Sequence, residues 1–86
     1  MALYRWFLML YWFVSAIPKH RKIIGENVRI YRKKAGLSQE KLAEKADLHS
    51  VYISQVERAD RAVTIDSLLK ITKALGIRLR DIIGDL

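Results

Sequence analysis

Between residues 23 and 86 the apolar positions recur at the three- and four-residue spacings of amphipathic helices. No run of β-branched residues alternates as a half-buried strand would. Ile24, Val28, Tyr31 and Ala35 make a first stripe and predict a helix from about Ile23 to Ala35. Gly36 is its natural C-cap, and Lys33 and Lys34 suit the negative end of its dipole. Leu42, Ala43 and Ala46 predict a short second helix behind an N-cap at Ser38, with Gln39 and Glu40 in its first turn. Asp47 ends it, because aspartate tolerates the left-handed backbone of a sharp turn, and Leu48 plugs the corner. His49 or Ser50 opens a third helix that runs to Arg58 with Ile53 and Val56 on its apolar face. Thr64 caps a fourth, whose apolar side is Ile65, Leu68, Ile71, Thr72 and Leu75 and which stops at Gly76. One or two last turns span about Leu79 to Ile83 and end at Gly84. The expected fold class is all-α, a compact domain of packed helices.

The stretch 38–58, SQEKLAEKADLHSVYISQVER, therefore reads as helix, tight turn, helix, the second helix turning polar side chains outward. With Ile53 as the inward direction and about 100° per residue, Val56 and His49 lie within about 60° of it. Val51, Ser54, Gln55 and Arg58 lie about 100° or more away. Glu57 falls about 40° from Ile53, toward the core edge, where an unpaired carboxylate is costly. Arg32, at the edge of the first stripe, is the candidate partner; the plainer alternative leaves both residues solvated.

The segment GLSQEKLAEKADLHSVYISQVER resembles the phage-repressor-type (Cro/CI, XRE) helix-turn-helix family. Its flanks, IGENVRIYRKKAG before and TIDSLLKITKALGI after, resemble it too, so the likeness runs from about Ile24 to Ile83. The resemblance implies a five-helix, lambda-repressor-like domain that binds operator DNA as a dimer. It also implies that an arginine of the first helix pairs with a glutamate of the recognition helix, at the positions of Arg32 and Glu57. Gln39, Ser50, Val51 and Gln55 match family positions that approach phosphates or bases. Ala59 stands where the family usually has glycine. Alanine is disfavoured in the left-handed conformation, so the exit of the third helix and the loop Ala59 to Val63 are where divergence is expected. Asp47 at a position often occupied by glycine is a milder change.

Charge sharpens this picture. The net charge of +7 is not spread evenly: residues 19–34 hold seven bases against Glu26 alone, and residues 35–86 hold eight of each sign. The bland reading of that basic segment is a solvated helix face; beside the motif it reads as a phosphate-binding patch. Residues 19–22 are read as a basic arm lying along phosphates through Lys19, Arg21 and Lys22, and His20 as a solvated histidine. Eighty-six residues without cysteine allow one small domain, no disulfide and no thiolate metal site. His20 and His49 are the only imidazoles, and no glycine-rich loop follows a strand. No enzyme, no cofactor, no metal and no small-molecule substrate is expected.

Residues 1–18 form a separate apolar segment, uncharged from Trp6 to Val14 and shorter than the ~20 residues of a bilayer span. Three readings stand beside each other: a start of translation further on, at Val14; a membrane anchor with the basic arm on the cytoplasmic side; and an extra packing segment. The domain proper is placed at residues 23–86. Its base readers are expected to be Ser50, Val51, Ser54 and Gln55, with Gln55 reading adenine bidentately or guanine less selectively and Val51 touching a thymine methyl. Gln39, Tyr52, Arg58 and Arg61 are expected on phosphates together with the arm. Leu79, Ile82, Ile83 and Leu86 are more apolar side chains than a short terminal helix needs, and are the expected dimer interface. The function expected is sequence-specific double-stranded DNA binding by a cytoplasmic, nucleoid-associated homodimer, a transcriptional repressor on a palindromic operator. The alternative is a helix-turn-helix module or antitoxin-type protein that docks a protein partner, possibly tethered to a membrane. Small polar residues and a basic end on the third helix favour DNA, since a docking face would carry large apolar anchors.

Overall fold

A computed structural model describes residues 17–84 and 86, and places five helices among them: α1 Lys19–Lys34, α2 Gln39–Ala46, α3 Ser50–Glu57, α4 Ile65–Leu75 and α5 Leu79–Ile83. No strand occurs among the described residues. The readings of the apolar N-terminal segment fall on residues 1–16, outside the described residues. Among the rest, no helix is long and apolar enough to cross a membrane.

Local chemistry sets the ends of these helices. The Ser38 hydroxyl accepts the Lys41 N–H at 3.0 Å, and the Thr64 hydroxyl accepts the Ser67 N–H at 3.1 Å. Asp47 closes α2 in the left-handed conformation at φ 55°, and Gly76 closes α4 at φ 69°. Immediately after Asp47, the Leu48 N–H reaches back to the Ala43 carbonyl at 2.9 Å, which makes the turn between α2 and α3 tight. His49 is exposed, although helical angles put it near the inward face. It is the N-cap of α3, in extended backbone at ψ 141°, so helical angles do not apply to it.

α1 starts at Lys19 rather than near Ile23, so the basic arm expected at 19–22 is the first turn of a helix. Pro18 is its N-cap, in extended backbone at ψ 134°, and lysine and arginine are good helix formers, so the helix begins directly after it. The buried stripe of α1 is Ile24, Gly25, Val28 and Arg32; Tyr31 is half-buried and Ala35 is exposed. The stripe thus tilts toward Arg32, away from the Tyr31–Ala35 line expected.

The core gathers Ile24, Val28, Leu42, Ala43, Ala46, Ile53, Val56, Leu68, Ile71 and Ile82. α1 packs on α3 and α5, α2 on α3 and α4, and α4 on α5. At Gly25 the helices touch backbone to backbone. A Cβ there would press on the carbonyl oxygen of Val56 and lie 2.9 Å from that of Glu57. α5 is held by the Asn27 side-chain amide, which donates to the Ile82 carbonyl at 2.7 Å. Ile82 itself is fully buried, which removes it from the expected dimer interface. Its helix packs on both α1 and α4, and its side chain belongs to the common core. On α4, Ile65 points outward at 63% exposure, contrary to its expected inward place; it is the first helical residue, and the buried side of the helix begins at Leu68.

Candidate nucleic-acid interface

α3 has one face in the core, through Ile53 and Val56, and another that stays outside the core of the described residues. Val51 stands on the free face at 61% exposure, an apolar side chain held in solvent. Ser50, Val51, Ser54 and Arg58 line one shallow cleft with Gln39 and Glu40 from the start of α2. The tight turn brings the first turns of two helices to one surface, so four of the expected contact residues converge with Gln39. The backbone N–H groups at the start of α2 add a partial positive charge there.

An ionic junction fixes the angle of that surface. Arg32 Nε donates to Glu57 Oε2 at 2.6 Å and Nη2 to Oε1 at 2.9 Å, a two-pronged pair whose side chains are 11% and 3% exposed. Arg32 Nη1 donates to the Leu37 carbonyl at 2.9 Å, and Gln39 Nε2 donates to Glu57 Oε1 at 3.2 Å. One guanidinium thereby ties α1, the turn before α2 and the end of α3 together. The hydrogen bond from Arg32 to Glu57 raises the arginine pKa above its ordinary value, against the opposing effect of burial.

Beside the junction lies a second cleft, lined by Arg29, Arg32, Gln39, Glu57 and Arg58. Arg29 is one of the seven bases of residues 19–34. Its place three residues before Arg32 puts it on the same side of α1, a signal available from helical spacing alone. Arg58 Nε pairs with Asp60 Oδ2 at 3.1 Å, in solvent.

Other expected contact residues lie apart from these clefts. Lys19, Arg21 and Lys22 occupy the first turn of α1, roughly 15–20 Å along the helix axis from Arg32 at 1.5 Å per residue. Lys19 borders Leu86 instead. The Tyr52 hydroxyl is enclosed and has no hydrogen-bond partner, so it does not reach a surface where a phosphate could meet it. The Tyr52 ring lies 5.3 Å from the guanidinium carbon of Arg61, whose Nη1 donates to Gln55 Oε1 at 3.2 Å. Gln55 therefore stands with Tyr52 and Arg61, on the flank of the cleft that holds Ser50, Val51 and Ser54. The expected divergence after α3 does not occur: Ala59 adopts the left-handed conformation at φ 61° and is buried at 6% exposure. Its N–H bonds the Val56 carbonyl at 3.1 Å, and the next N–H, of Asp60, bonds the Gln55 carbonyl at 2.9 Å, so the helix end outweighs the strain.

Of the expected interface residues, Leu79 and Ile83 are half-buried against the core and Leu86 is 60% exposed. Ile65 and Leu69, four apart on α4, add further exposed apolar surface at 63% and 47%.

Comparison with known proteins agrees with this geometry. A family model described as helix-turn-helix matches residues 28–82. The control protein C.BamHI of Bacillus amyloliquefaciens is 47% identical over 64 residues, 73% of this chain and 79% of that protein. The control protein C.SmaI of Serratia marcescens is 51% identical over 56 residues, 65% of this chain and 67% of that protein. The crystal structure of the restriction-modification controller protein C.AhdI from Aeromonas hydrophila matches with a TM-score of 0.71 and 37% identity, over 72% of this chain and 94% of that one.

Proposed function

The chain belongs to this helix-turn-helix family and is a DNA-binding transcriptional regulator, and on that premise we propose that it acts as a homodimer on a two-fold symmetric operator, as a controller of restriction–modification genes. The observation that carries the proposal is the uncovered face of α3, with Ser50, Val51 and Ser54 beside the N-terminus of α2 and no large apolar anchor. A helix presented in this way enters the major groove N-terminus first. Serine hydroxyls then meet base edges, Val51 meets a thymine methyl, and Gln55 reads the neighbouring pair. Arg29, Gln39 and Arg58 hold the flanking phosphates, and Lys19, Arg21 and Lys22 extend the positive field along α1.

One domain covers one half-site, so the operator demands a second copy. The dimer is proposed to form through the exposed apolar side chains Ile65 and Leu69 of α4 and Leu86, with the half-buried Ile83 at their edge. Bound across a promoter, such a dimer represses by exclusion, working by binding in the cytoplasm and at the nucleoid rather than by catalysis. The test is selection of bound sites from random duplex DNA by the full chain, followed by sedimentation of the protein with and without the selected duplex. A palindromic site bound by two copies supports the reading; a selected sequence without symmetry, bound by one copy, overturns the dimer.

A further inference from the structure

The side chains of Tyr52, Gln55 and Arg61 form a cluster that the fold builds from three separate devices. Tyr52 and Gln55 are three apart on α3 and so lie on one side of it. The left-handed Ala59 reverses the chain at the end of the helix. Asp60 holds Arg58 at 3.1 Å, leaving the next arginine to fold back along α3. Arg61 then lies over the Tyr52 ring at 5.3 Å, within cation–π range, and donates to the Gln55 carbonyl oxygen at 3.2 Å.

That contact changes what Gln55 can say to a base. A free glutamine amide offers an acceptor and donors side by side, the complement of adenine, whose N7 accepts and whose N6 donates. Here Gln55 Oε1 accepts from Arg61 Nη1, and the groups the pair adds are donors: the Gln55 amide NH2 and the other guanidinium N–H groups. Guanine presents two acceptors, N7 and O6, to the major groove. Adenine would set its N6–H donor against donors and a positive charge.

We propose that Arg61 is a specificity-determining positioning residue: it engages Gln55 Oε1 and makes the Tyr52–Gln55–Arg61 cluster a donor-rich reader that selects guanine over adenine. The proposal rests on the DNA-binding reading and replaces a bare phosphate contact for Arg61 and an adenine contact for Gln55. Arg61 is exposed and outside every helix, so its replacement leaves the fold in place.

The experiment determines preferred sites for wild type, Gln55→Ala, Arg61→Ala and Arg61→Lys, and measures each affinity on guanine and adenine versions of the selected duplex. The base pair whose selection relaxes in Gln55→Ala is the one the cluster reads. Wild type is expected to prefer guanine there by about tenfold or more. Arg61→Ala should erase or reverse that preference, and Arg61→Lys should erase it while keeping its affinity for random duplex, because lysine keeps the charge but lacks the fork. Adenine preference in the wild type overturns the proposal. So does an equal loss of affinity on both duplexes in Arg61→Ala, restored by Arg61→Lys, which marks a phosphate contact. A wild type that selects no sequence overturns the DNA-binding reading itself.

Discussion

The two sides of α3 follow opposite rules. Toward α1 the helix is fixed by groups that cannot shift: a backbone contact at Gly25 and a two-pronged ion pair at Arg32–Glu57. Toward solvent it carries Val51, 61% exposed, with the half-buried Ser54 and Gln55, none of them in the core and the Gln55 side chain bonded only to the exposed Arg61. The rigid side sets where the free side points. Reading a base requires placing a side chain to within a fraction of an ångström, and an eight-residue helix cannot hold such a position by itself. The difference teaches that substitutions on the two sides should separate cleanly, one set lowering stability and the other changing only recognition.

The largest effect should come from Glu57→Ala. It leaves the Arg32 guanidinium buried without its carboxylate, and breaking such a pair costs about 3–5 kcal/mol. Thermal unfolding of Glu57→Ala, Arg32→Ala and the double variant measures the coupling. A coupling indistinguishable from zero would mean that the rigid side does not depend on this pair. Next is Gly25→Ala. The added methyl must push on the carbonyl oxygens of Val56 and Glu57, and overpacking of this kind costs about 1–3 kcal/mol. Because the displaced atoms belong to α3, operator binding should weaken further than the lost stability explains; binding unchanged at a temperature where the variant is folded would separate the junction from the reading face.

Local signals were legible in the sequence wherever a residue acts on its own backbone. Ser38, Thr64, Asp47 and Gly76 sit at helix ends because their chemistry suits those ends, whatever packs nearby. What depended on residues far apart in the chain was not legible. The burial of Ile82 requires α1 to supply both apolar cover and the Asn27 amide, 55 positions away. Helix angles place Glu57 near the core edge, but not Gln39 beside it. The charge of Lys19 to Lys22 points to an arm, but the helix propensity of lysine and arginine, directly after Pro18, makes them a helical turn. The Tyr52–Arg61 contact was hidden for a further reason: it exists only if Ala59 turns left-handed, which alanine disfavours.

On the free side, Gln55→Ala should leave the unfolding transition where it is and cost ~1–3 kcal/mol of operator affinity per half-site. Affinity for random duplex, carried by phosphates, should hardly change at the same salt concentration. If both affinities fall by one factor, Gln55 does not read a base and the free side has been drawn on the wrong face of the helix.

The smallest effect tests the boundary between the two sides. Ala59 has φ 61°, and a Cβ in that region costs roughly 1 kcal/mol, which glycine avoids. Glycine also loses more backbone freedom on folding and gives up a buried methyl, here 6% exposed, so the terms oppose each other. Relief of strain acts in the folded state, while the entropy of glycine acts in the unfolded one. With the first near ~1 kcal/mol and the sum of the others close behind, Ala59→Gly should shift stability by less than about 1 kcal/mol in either direction. Recognition should respond more than stability does. Glycine lets the turn visit other conformations, and Arg61 then spends less time against Tyr52 and Gln55. Urea unfolding and guanine-versus-adenine affinities on the same variant separate the two responses. An unfolding midpoint little changed, with weakened base preference, places Ala59 with the free side as the hinge that sets Arg61. A marked loss of stability with base preference intact places it with the rigid side instead.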